Sequence, residues 1–419
     1  MEVFTLNTRA RNTAIGSILI TTLYMGSYGS LAVYLVPVSQ AFHVSVGEAT
    51  LIFTFGSMAS FTSALFLGRM LKKFAVKLLI PLTGILFTAL FLSIAFSRSI
   101  VVVYVGALLY GFASGTGGIA FAQTAITWWF VKDRGKLFSY LSIGTALFGL
   151  LLVPLIAQMI TIYGVRVVAI YQGFLISGMV ILIGLFLLSE HPDTYGLKPI
   201  GYMDEQKGYN DVQSGTNLTV NQILRIPAFW LIIFSVVIMI IVFTGFINNA
   251  SAIYQSKGLD AVAAAFCISI YNAGRIVWSP FYGILVDKFG VRLATIVCGS
   301  IGAIILLLAT LLSGFTGAVI IASMIGSLSF AGMLGAVSLP RVFGSKEAGN
   351  LIGFSNAAGS VGAMIGAPTA GFIFDATNSY TGFLFFAGIA VPFAVFLMLS
   401  GTGKKAVETV KLREAQYSH

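Results

Sequence analysis

Apolar residues in this chain come in long unbroken runs, not in the two- or three-to-four-residue rhythm of strands and helices that bury only one face. Twelve runs reach about twenty residues or more, the length a helix needs to cross a hydrocarbon core. They predict helices at about 13–38, 47–70, 76–97, 100–129, 135–160, 166–188, 226–255, 261–286, 293–313, 316–340, 347–373 and 380–400. Six precede and six follow a polar stretch at 189–225, which contains "SEHPDTYGLKPIGYMDEQKGYNDVQSGTN" and reads as a linker. The expected organisation is an all-α integral membrane protein: an N-terminal six-helix half over 1–188, a cytoplasmic linker over 189–225, and a C-terminal six-helix half with a short cytoplasmic tail over 226–419.

Composition agrees with the pattern. Of 419 residues, 58% are hydrophobic and 9% charged, with a mean hydropathy of +0.95, whereas soluble domains carry about 25% charged residues. A net charge of +10 would suit nucleic acid, but the cations punctuate the spans. With both termini cytoplasmic, 20 of the 24 Lys and Arg fall on the cytoplasmic side, and Arg98, Arg166 and Lys257 face outward. That bias fixes orientation, and the expected location is the inner (plasma) membrane, multi-pass. The first apolar run is too long for a cleaved signal peptide. Cys267 and Cys298 sit inside apolar runs, and His43, His191 and His419 lie apart; no metal, cofactor or nucleic-acid partner is expected.

One cation is left over. Arg275 lies in "YNAGRIVWSPFYGILVDKFGVR", twelve residues before the next charge, Asp287, and so about 18 Å deeper along a helix. A charge at mid-membrane costs at least about 2.5–3.5 kcal/mol on insertion scales and normally faces a cavity and a partner. No Asp or Glu lies within the predicted membrane interior. An anion from outside the chain is the functional reading; an arginine held by carbonyls to pin helices is the structural one.

The halves share a motif. "GRMLKKFAVK" at 68–77 follows the second span, and "GILVDKFGVR" at 283–292 follows the second span of its own half. The latter, with Gly283, Asp287, Lys288, Gly290 and Arg292, resembles the signature loop of the major facilitator superfamily, which implies a fold of two pseudo-symmetric six-helix bundles and a cytoplasmic gating contact. The first copy keeps Gly68 but has Lys72 in place of the acid and Ala75 in place of the second glycine.

Three further stretches, "TWWFVKDRGKLFSYLSIGTALFG" at 127–149, "HPDTYGLKPIG" at 191–201 and "AGFIFDATNSY" at 370–380, resemble the oxalate/formate antiporter and monocarboxylate transporter branch. That resemblance implies an arginine on the eighth helix that binds the substrate carboxylate, a place Arg275 occupies. It also brings two departures. The eleventh span lacks the lysine associated with oxalate, and Tyr271 stands where proton-coupled monocarboxylate transporters carry an acid.

Residue type and spacing extend the site. Tyr271, Asn272, Trp278 and Ser279 lie three or four residues from Arg275 and share its face. Trp278 has two open roles, ligand contact or packing. On the first span Tyr24, Ser27 and Tyr28 share a face, with hydroxyls suited either to a carboxylate or to another helix. Gln123, Asn248 and Asn249 at an unwound outer segment, Ser355 and Asn356 complete the candidates, each open to the same alternative. The glycine clusters at 111–118 and 359–371 are read as close helix packing, and Pro37, Pro154, Pro280 and Pro368 as kinks.

The expected function is secondary active transport of a small organic anion, a monocarboxylate, by alternating access around Arg275. The alternatives are a dicarboxylate/formate-type exchanger and, in a different class, a non-transporting membrane sensor on the same fold. No nucleophile, base and metal gather as an enzyme would need. The expected partners are the anion and the lipid bilayer, and the expected state is a monomer.

Overall fold

The computed structural model of the protein describes residues 2–130, 134–198, 200, 218–343 and 348–417. Among them are twelve helical stretches long and apolar enough to cross a membrane: Thr8–Phe42, Val46–Lys73, Val76–Phe96, Ile100–Trp129, Tyr140–Tyr163, Val165–Phe186, Pro227–Asn248, Ala261–Val286, Lys288–Leu308, Gly314–Phe343, Gly353–Thr377 and Thr381–Gly401, hereafter the first to twelfth spans. Helical wrapping is the only way an apolar chain segment can satisfy its backbone groups in lipid without closing a barrel. The chain divides into two compact units, Met1–Asp211 and Val212–His419.

Small residues set the packing inside each unit. A Cβ on Gly111 of the fourth span would stand 2.0 Å from the Gly56 carbonyl oxygen of the second, so these backbones touch directly. In the second unit Gly366 of the eleventh span meets the seventh in the same way, 2.6 Å from the Ile241 carbonyl. The glycine clusters therefore do what their composition predicts. Hydroxyls fasten other pairs: Ser177 donates to the Gly84 carbonyl at 2.6 Å, and Ser235 to that of Ala394 at 2.7 Å.

Several boundaries differ from the hydropathy pattern, for local reasons. The fourth span breaks at Gly118 (φ −86°, ψ −136°) between Ile100–Gly117 and Ile119–Trp129. The seventh, expected to run to 255, stops at Asn248; Asn249 (φ −101°, ψ 6°) starts a separate turn, Ala250–Ser256. The tenth contains a 3₁₀ segment, Gly326–Gly332. The eleventh continues to Thr377, which brings Asp375, expected in a connection, into the last turn of the helix. The tail is a helix, Lys404–Tyr417, with Val410 buried.

The polar stretch is shared between the units. Its first part folds back on unit one: Pro192–Tyr195 forms a 3₁₀ turn, Tyr195 lies under the Arg9 guanidinium at 3.9 Å, and the Ile200 N–H donates to the Trp129 carbonyl at 2.9 Å. In unit two Leu218 is buried just before the short helix Val220–Ile223, whose Ile223 is buried too.

Candidate functional site

Arg275 stands near the middle of the eighth span, about 21 Å by helical rise from Ala261 and about 17 Å from Val286. Its Nε is buried and has no hydrogen-bond partner among the described residues. The guanidinium carbon lies 5.8 Å from the centroid of the Tyr271 ring, one turn away, within cation–π range. Tyr271 in turn packs beside Phe243 of the seventh span, ring centroids 6.4 Å apart.

The tenth span packs against the helix that carries Arg275. A Cβ on Gly326 would come within 2.8 Å of the Trp278 ring and 3.5 Å of the Arg275 backbone nitrogen. Only glycine lets the 3₁₀ segment lie so close to the eighth span there. Trp278 Nε1 donates to the Ser323 carbonyl at 2.9 Å, and the Ser279 and Ser329 hydroxyls are 3.2 Å apart. The contacts at Gly326 and Ser329 hold the helix that carries Arg275 against a segment wound three residues to the turn, a geometry that often marks a hinge, and Ser323 binds it from the preceding α-helical turn.

The other candidates sort by what their polar atoms already touch. Trp278 gives its N–H to the Ser323 carbonyl and keeps its ring face beside Arg275. Asn272 donates to the Ile268 carbonyl of its own helix at 2.9 Å. Asn249 donates to the Gly245 and Ala367 carbonyls, both at 3.0 Å, and so ties the seventh span to the eleventh, while its buried Oδ1 has no partner among the described residues. Asn248 is buried too. Ser355 is buried against Gly335 of the tenth span, whereas Asn356 is exposed.

In the first unit Tyr24 requires a correction. It is wholly buried, packed edge-on to Phe87, and its hydroxyl donates to Thr83 at 2.8 Å, so it is helix-to-helix packing and offers no donor to a ligand. Tyr28 is half-buried, 3.4 Å from the Ser57 hydroxyl, and Gln123 is exposed. Sequence reasoning passed over Gln172 on the sixth span, which accepts from Tyr34 at 2.7 Å and donates to Ser30 at 2.8 Å. A buried amide in an apolar run was the available signal. It also passed over Thr13, Ser17 and Thr21, one turn apart, whose buried hydroxyls have no partner among the described residues.

At the repeated loop, Gly290 has φ +83° and breaks the helix, a conformation only glycine takes without strain. The first copy turns differently: Phe74 and Ala75 are extended, with φ −119° and −63°, so alanine fits. Gly68 and Gly283 face open space, and Lys72, Lys288 and Arg292 are exposed. Arg341 Nη1 donates to the Val286 carbonyl at 3.4 Å. The Asp287 side chain lies outside the described residues.

A family model for the Major Facilitator Superfamily matches residues 17–277 and 246–416. The chain belongs to that superfamily. As a superfamily transporter it is a multi-pass membrane protein. It is similar to the oxalate:formate antiporter of Oxalobacter formigenes, 25% identical over 315 residues that cover 74% of this chain and 71% of the relative. It is also similar to the MFS-type transporter YhjX of Escherichia coli strain K12, whose function is uncharacterized, at 24% identity over 74% of each chain. Among solved superfamily folds, a point mutant of the nucleoside transporter NupG superposes with a TM-score of 0.73 at 11% identity, covering 94% of this chain and all of that one. A bacterial homologue of the lysosomal transporter Spinster gives 0.65 at 16%, covering 96% and 95%. At these identities the two structures speak for the fold alone.

Proposed function

We propose that this superfamily member is a secondary active transporter of a small organic anion, a monocarboxylate with an apolar portion, bound by Arg275 during alternating access. One observation carries the reading: a guanidinium at mid-span has a buried Nε with no partner among the described residues. A charge at mid-membrane is costly, and a carboxylate can accept two parallel hydrogen bonds from its fork. Tyr271 forms an aromatic wall beside it, which favours an anion with an apolar end. A single positive charge is matched by a single negative one. Trp278 and Asn272 are assigned to shaping this wall, and Tyr28, Gln123 and Asn356 keep polar groups that packing has not buried. Gly68 and Gly283 with Lys72, Lys288 and Arg292 belong to the cytoplasmic ends of the spans, both termini being cytoplasmic in the inner membrane and the protein acting as a monomer.

A second reading, exchange of a dicarboxylate against formate, is favoured by the similarity to the oxalate:formate antiporter. Against it, the eleventh span, Gly353–Thr377, contains no Lys or Arg to take a second carboxylate. The test is uptake of labelled mono- and dicarboxylates into proteoliposomes, preloaded with unlabelled anion or with buffer. Uptake of a monocarboxylate that falls at least about tenfold in Arg275→Ala, at equal protein level, is the expected result; a factor of ten is about 1.4 kcal/mol. Undiminished uptake in that variant would sink the assignment. Preference for oxalate would select the second reading, and a need for preloading would identify exchange.

A further inference from the structure

Each unit has a cleft along the linker-side end of its half's first span. In the first, about 470 Å³ is lined by Arg11, Ile15 and Ile18 of the first span, Tyr140 of the fifth, and by Phe130 and Ile200. In the second, about 410 Å³ is lined by Leu224, Arg225 and Pro227 and, along the seventh span, by Trp230, Leu231 and Phe234. The spacing that carries Gly68 to Gly283 carries Ile15 to Trp230 and Arg11 to within one residue of Arg225. The two clefts thus share one arrangement, an exposed arginine at the linker-side end of a half's first span followed inward by apolar surface.

The surface chemistry selects an occupant. Ile15 and Tyr140 in the first cleft are 44% and 50% exposed, and Trp230 and Phe234 in the second 45% and 55%; each pair would be unfavourable in water but suits acyl chains. Trp230 has already donated its N–H to the Leu224 carbonyl at 2.8 Å. Its ring therefore offers the cleft only apolar surface, and the same bond ties the helix to the segment carrying Arg225. Among the described residues no acidic side chain lines either cleft. A guanidinium fork matches a phosphodiester, while a headgroup cation such as choline would find no counter-charge.

We propose that each half seats one anionic glycerophospholipid, its phosphodiester on Arg11 or Arg225 and the first stretch of an acyl chain in the cleft. Which leaflet supplies it follows from the orientation proposed above; the binding itself does not depend on that orientation or on Arg275.

The experiment is native mass spectrometry of the full chain, delipidated in detergent and titrated with phosphatidylglycerol or with phosphatidylcholine of identical acyl chains. The expected result is two retained phosphatidylglycerols under conditions that strip phosphatidylcholine. Arg11→Gln and Arg225→Gln should each lose one and the double variant both, while Arg413→Gln on the tail helix should lose none. Equal retention of the two lipids, two phosphatidylglycerols kept by the double variant, or displacement by millimolar inorganic phosphate would overturn the proposal. Should a variant unfold, photo-crosslinking of the unmodified protein with phosphatidylglycerol decides: label in 11–18 and 225–234 supports the sites, and label confined elsewhere refutes them. Because the readout is lipid retention, its failure leaves the transport reading untouched, and the reverse holds too.

Discussion

Arg275 and Lys257 show two ways of keeping a cation in a mostly apolar chain. Arg275 keeps a buried Nε without a partner, so its geometry matters as much as its charge. Arg275→Lys retains the charge and loses the fork, and kcat/KM for uptake should fall at least about tenfold, with a lysine-like indifference to carboxylate orientation. Lys257, outside the spans, instead gives its ammonium protons to the carbonyls of Ala309 and, at 2.7 Å, Leu312 at the end of the ninth span. Lys257→Met leaves those carbonyls without that donor and should cost about 1–3 kcal/mol, seen as a lower thermal unfolding midpoint in detergent. Burial also holds the Lys257 pKa below that of a free lysine. The folded state therefore loses this proton first as pH rises. Between the lowered and the free value the unfolded chain binds more protons, so this group's contribution to stability grows with pH. The deficit of Lys257→Met should widen over that window, since a neutral amine still has two protons for two carbonyls. A deficit that narrows there would contradict the assignment. Arg275 was legible in the sequence because a lone charge in an apolar run needs no partner to be noticed. The commitments of Tyr24 and Trp278 were not, because their partners, Thr83 and Ser323, lie 59 and 45 residues away.

Elements follow from hydropathy as far as hydropathy measures burial in lipid, and depart from it where backbone geometry decides. Twelve spans were readable because each apolar run had to form its own hydrogen bonds. The break at Gly118 and the tail helix Lys404–Tyr417 were not, since neither changes the hydrophobic count over a span, whereas the paired asparagines did mark the interruption at Asn248. The two copies of the repeated loop show the distinction most clearly. Gly290 sits at φ +83° while Ala75 sits at φ −63°. Gly290→Ala should therefore destabilise by about 1–2 kcal/mol, and Ala75→Gly should have little effect, measured as paired unfolding midpoints. Equal effects would mean that the loops turn alike. Gly111→Ala should cost about 1–3 kcal/mol by forcing the second and fourth spans apart; an unchanged midpoint would show that the contact relaxes freely.

At the scale of the whole molecule, the division between Asp211 and Val212 falls inside the polar stretch, and the flanking segments pack within their own units. A chain cut there and co-expressed as two fragments should recover most of the uptake of the intact chain, and fragments that each fail to accumulate would show that neither half folds without the covalent link. The 3₁₀ segment of the tenth span has a consequence on the same scale. Its seven residues, Gly326–Gly332, rise about 2.0 Å each in place of about 1.5 Å, so the segment is longer by about 3.5 Å than the same residues wound as α-helix. One end of that length lies against Arg275, and beyond the other Arg341 reaches the end of the eighth span. Rewinding it would act as a piston stroke, shifting Arg341 along the helix axis relative to Arg275 by about the rise of two residues, with no bend anywhere in the span.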